Sequence, residues 1–122
     1  MTGSPLPGEG GLADILIETR RGWLARDRAA FLDSVGGAVA AALAPAVQAP
    51  SVRLLEYDED CFVPPVPGRS VFTRIEIAFA AGGRGEEAAD LRRAVFAAVK
   101  GFGLTPPDVR IVLLAAGTRA VL

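Results

Sequence analysis

The 122 residues (12.6 kDa), 51% apolar and 22% charged, suffice for one hydrophobic core and are too apolar for a disordered chain. Thirteen basic against 14 acidic residues give a net charge of -1, which offers no bulk attraction to nucleic acid or an anionic membrane surface. Histidine is absent and Cys61 is the single cysteine, which excludes Ser-His-Asp and Cys-His pairs, imidazole acid–base chemistry, a His-containing zinc site and an intrachain disulfide.

The first eleven residues, Met1 to Gly11, are rich in glycine and proline and lack both a basic and an apolar region. They read as a flexible tail rather than a signal peptide. Ala13 to Thr19 is mostly apolar with β-branched residues and predicts a strand, bounded by Arg20-Arg21-Gly22. Ala25 to Leu43 carries Phe31, Val35, Ala38, Val39 and Ala42 at helical spacing. Gly36-Gly37 within it costs about 1 kcal/mol each relative to alanine, and marks either a close helix–sheet contact or a kink. The longest nearly apolar stretch, Gly36 to Val47, is too short to span a bilayer and contains Pro45, so a cytoplasmic protein is expected. Ser51 to Tyr57 predicts a second strand, and Asp58 to Ser70 an acidic, proline-rich connection.

The pattern then recurs. Val71 to Phe79 alternates with period two, and Gly82-Gly83 turns the chain. Glu86-Glu87 open a helix with Leu91, Val95, Ala98, Val99 and Phe102 on one stripe. Gly103 stops it, and Val109 to Leu114 makes a fourth strand. Pro50 to Leu55 matches Pro107 to Val112 (107 − 50 = 57), while Ile15 and Ile17 match Ile75 and Ile77 (75 − 15 = 60). Two βαβ units with parallel strands and right-handed crossovers are therefore expected in one domain from Leu12, within an α/β (α+β) class. They predict a four-stranded sheet with both helices on one face. The other face, with branched apolar residues on strands one and three, is expected to be buried by self-association.

These residues resemble the tautomerase superfamily, of the oxalocrotonate tautomerase and malonate semialdehyde decarboxylase kind. The resemblance rests on Arg21-Gly22-Trp23, the run Phe62 to Ser70, Ile75-Glu76-Ile77, Gly83-Arg84-Gly85, Leu91, and Gly103-Leu104-Thr105-Pro106-Pro107-Asp108-Val109. It implies a homotrimer acting without a cofactor or metal on small carboxylated enols or keto acids. It also implies arginines that bind the substrate carboxylate and an amino-terminal proline at the start of strand one. That position falls on Ala13, or on Leu12 or Gly11, and none of these is proline. Pro5 or Pro7 would serve only after proteolysis. The resemblance thus implies either a tautomerase-like enzyme without the proline or a noncatalytic member that binds a small anion or serves as a structural subunit.

Within this frame Arg84, in the glycine turn, is expected to clamp a carboxylate, the alternative being a solvated turn residue. Arg53 matches an arginine that binds substrate in oxalocrotonate tautomerase, with Arg110 as its internal counterpart; otherwise they are strand or interface residues. Arg69 and Arg74, flanking the third strand, are weaker candidates. Trp23 and Phe62 would wall an apolar pocket or pack a trimer interface. Without histidine, Glu56, Tyr57 and Asp58 are the remaining acid–base candidates, against the alternative of a solvated strand end.

Overall fold

Side chains on a strand alternate between faces, so the isoleucine pairs at positions 15/17 and 75/77 each define one buried side. The computed structural model describes residues 13–44, 49–79 and 85–115. Its strands are β1 (Ala13–Arg20), β2 (Ser51–Tyr57), β3 (Thr73–Phe79) and β4 (Val109–Ala115), and its helices α1 (Arg28–Leu43) and α2 (Gly85–Lys100). Short 3-10 turns span Ala25–Asp27, Glu59–Cys61 and Pro106–Asp108. Of the boundaries that differ from the sequence reading, two are moved by turns. The Asp27 N–H bonds the Leu24 carbonyl at 2.8 Å, so residues 25–27 tighten into a 3-10 turn and α1 begins at Arg28. The Phe72 N–H bonds the Arg69 carbonyl at 3.1 Å, and this turn delays β3 to Thr73.

The sheet order is β2-β1-β3-β4. Both βαβ units pair their own strands in parallel, as expected, and meet through antiparallel β1 and β3. Leu16 lies opposite Glu76 at the centre of that junction, and an approximate twofold relates the units about it. Phe31, Val35 and Val39 correspond to Leu91, Val95 and Val99 at the same spacing as Ile15 to Ile75 (91 − 31 = 60). The outer strands follow a different spacing from the expected 57. Ile15 faces Val52 and Ile75 faces Ile111, which makes the separation 59 (111 − 52 = 59). The Pro106–Asp108 turn sets this register, since its residues precede β4 whereas Pro50 lies immediately before β2. Arg53 therefore corresponds to Val112, and Arg110 is not its counterpart.

The core lies between the sheet and the two helices, which pack against each other. Ile15, Ile17, Ile75 and Ile77 are fully buried there with Phe31, Val35, Leu91 and Val95. This corrects the expected make-up of the opposite face, because the β-branched residues of strands one and three point to the helices and leave Leu16 as the branched apolar residue on the other side. The open face instead carries Asp14, Leu16, Glu18 and Arg20 from β1 and Arg74, Glu76 and Ala78 from β3. Exposed Leu55 and half-buried Val112 and Leu114 add apolar area at its edges. Gly36 marks the close contact rather than a kink: α1 runs unbroken, and a Cβ at Gly36 would sit 3.0 Å from Val52 Cγ2. At the end of α2 the Gly103 φ of 93° allows the Leu104 N–H to turn back to the Val99 carbonyl.

Candidate functional site

Strand alternation gathers charge on the open face. One cross-strand row runs Leu55, Glu18, Arg74, Arg110, and the next runs Arg53, Leu16, Glu76, Val112. Arg74 Nη1 donates to Glu18 Oε1 and to Glu76 Oε1, each at 3.1 Å. The Tyr57 hydroxyl donates to Glu18 Oε2 at 2.6 Å, a short, charge-assisted bond. That bond, with partial burial and the Glu18 charge behind it, raises the Tyr57 phenol above its usual pKa of 10.0.

The connection between the units folds back over this end of the sheet. Phe62 stacks on Tyr57 with ring centroids 5.5 Å apart and on Phe72 at 6.3 Å. Beneath the connection is a cavity of about 250 Å³, walled by Phe62, Val63, Pro65, Phe72, Arg74 and Arg110. Arg74 is already matched by two carboxylates. Arg110 is exposed and has no carboxylate partner among the described residues. An apolar, aromatic wall with one uncommitted guanidinium can hold the carbon skeleton and the charged end of a small carboxylate.

The other sequence candidates do not converge on this cavity. Glu56 points to the helix side and pairs with Arg28 at 2.7 Å, leaving its Oε2 buried without a partner. Asp58 forms an exposed pair with Arg21 at 3.3 Å. The acid–base trio is thus divided between faces, and only Tyr57 stays beside the cavity. Trp23 and Phe62 form no common wall, because the Trp23 indole N–H bonds Thr19 Oγ1 at 2.8 Å on the helix side and its ring packs edge-on against Phe31. Arg53 lies on the open face at the β2 edge, in the row next to that of Arg110. Arg69 pairs with Asp108 at 3.3 Å, and Cys61 is exposed. Ala13 begins β1, buried and opposite Phe79. Arg84, with Gly11, Leu12, Pro5 and Pro7, lies outside the described residues. Glu18 is the residue that sequence reasoning missed; the pointer to it was a carboxylate alternating with Ile15 and Ile17 on a strand that holds arginine opposite. Among the described residues no cluster of three His, Cys, Asp or Glu side chains could hold a metal ion.

No family model matches the sequence, and no curated protein is similar to it. Solved structures are similar in fold. A wild-type fused 4-OT that forms a symmetric trimer aligns with a TM-score of 0.69 and 20% identity, over 84% of this chain and 85% of that one. Malonate semialdehyde decarboxylase aligns at 0.70 and 15% identity, over 83% and 82%. Pt0534, inactivated by 2-oxo-3-pentynoate, aligns at 0.73 and 18% identity, over 84% of each chain. With two βαβ units joined through antiparallel β1 and β3, the chain has the fold of the tautomerase superfamily.

Proposed function

We propose that this protein binds a small carboxylated enol or keto acid in the cavity under Phe62 and moves a proton on it, as a tautomerase-like isomerase. The observation that carries the reading is Arg110, a guanidinium without a carboxylate partner among the described residues, on the wall of an aromatic cavity. Arg110 takes the carboxylate, with Arg53 and Arg84 as further candidates on the same substrate class. Phe62 and Phe72 hold the carbon chain. Glu18 and Tyr57, hydrogen-bonded to each other and joined to the cavity wall through Arg74 and Phe62, are the pair we assign to proton exchange with it. The names of the fold neighbours support the substrate class, and the trimers among them support a homotrimer. A cytoplasmic location belongs to the same reading; no helix among the described residues is long and apolar enough to cross a membrane.

Following the enol of phenylpyruvate by absorbance tests this on intact protein. Turnover is expected to be slow, because Ala13 stands at the position that the resemblance gives to proline. Glu18→Gln should lower it further by about 10²-fold or more, the usual loss when an acid–base group is removed. An unchanged rate in Glu18→Gln would remove Glu18 from the reaction.

A second reading is a noncatalytic anion-binding or structural subunit. The commitment of both Glu18 oxygens, one to Arg74 and one to Tyr57, favours it. Saturable binding of phenylpyruvate without turnover would select it.

A further inference from the structure

A second cavity, of about 310 Å³, is walled by the same connection, with Val63 common to both. Its wall holds Arg20, Arg69 and Ser70 together with Pro64 and Pro67, and no acidic side chain among the described residues.

The two guanidiniums are differently supported. Arg20 ends β1 on the open face and has no carboxylate partner among the described residues. Its Nη2 reaches the Phe62 carbonyl only at 3.4 Å, longer than an ordinary N–H···O bond, and its Nε is buried without an acceptor. A half-buried guanidinium with donors to spare is a favourable partner for an anion. Arg69 is held in place from behind. Its Nη1 bonds Asp108 Oδ1 at 3.3 Å, while Asp108 Oδ2 accepts from the Thr105 N–H and hydroxyl. The Arg69 side chain nevertheless remains 40% exposed, so it has donors to spare. Pro64 and Pro67 fix the backbone of the wall, which limits the ordering required when a ligand enters.

We infer that this cavity is a second anion site, which takes the carboxylate or phosphate group of a small metabolite between Arg20 and Arg69. It is separate from the Arg110 cavity and stands whether or not that cavity supports turnover.

The experiment is a titration of the full chain with inorganic phosphate and, separately, acetate at low ionic strength. The amide signals of Gly68 and Ser70 are followed by NMR. At least one of the two anions should produce saturable shifts, and comparing them tells phosphate from carboxylate. Arg20→Gln and Arg69→Gln should each weaken the affinity roughly tenfold or more, the scale of a lost hydrogen bond to a charged group. Arg20→Lys, which keeps the charge and the fold but not the planar fork, should fall between wild type and Arg20→Gln. Arg110→Gln should leave the affinity unchanged. The inference is overturned if neither anion gives saturable shifts or if Arg20→Gln binds like wild type. It is also overturned if only Arg110→Gln loses binding, which would place the anion in the other cavity.

Discussion

Tyr57 and Asp108 show how hydrogen bonds set the ionisation of individual side chains. Tyr57 is the only tyrosine, so its ionisation can be followed directly by ultraviolet absorbance. The bond to Glu18 favours the neutral phenol, and the titration midpoint should lie above 10.0. Because the folded value is raised, its contribution to stability is complete below the unfolded pKa and is lost as pH rises through the folded one. Glu18→Gln should return the midpoint toward the ordinary value; a wild-type midpoint already there would remove the bond from the account. Asp108 has the opposite sign. The Thr105 N–H, then the Thr105 hydroxyl, and with them Arg69, hold its carboxyl below the ordinary 3.8. Its contribution is therefore present above the unfolded pKa and disappears as pH falls through the lowered folded value. Asp108→Asn should flatten the acid limb of a stability–pH curve below about pH 4, measured by denaturant unfolding. An unaltered limb would count against this assignment.

At the level of elements, the adjacent glycines of α1 have different roles. A Cβ on Gly37 meets nothing within 4 Å, so Gly37→Ala should stabilise the protein by about 1 kcal/mol through helix propensity alone. Gly36→Ala gains the same propensity but presses on Val52, and overpacking of that kind costs about 1–3 kcal/mol. Thermal or denaturant melts of the two variants should therefore move apart, and Val52→Ala should relieve much of the Gly36→Ala defect. Equal gains from both would show that the helix–sheet contact is loose. The strands and helices were legible in the sequence because burial imposes period two on Ile15 and Ile17 and a helical stripe on Leu91, Val95 and Val99. The site was less legible. Side-chain direction depends on register, and a Pro-Ser-Val-Arg to Pro-Asp-Val-Arg match does not reveal that a 3-10 turn displaces the second segment. Glu56 and Tyr57 look like one acidic strand end in the sequence, yet alternation sends them to opposite faces. Glu18 looks like a solvated charge until β3 brings Arg74 beside it.

For the whole molecule, the open sheet face combines an ion-paired centre with apolar edges, among them Leu55 at 46% exposure. The homotrimer proposed above would bury this face against another copy of the chain. Sedimentation at micromolar concentration should give three times 12.6 kDa, and a monomer would contradict the assembly. The most direct test of the functional account is the affinity for phenylpyruvate of wild type and Arg110→Gln, by calorimetric titration. The account predicts saturable binding that Arg110→Gln weakens roughly tenfold or more, with the fold intact. Equal affinity in the two proteins would show that Arg110 is only a surface residue and that the cavity under Phe62 is not the site.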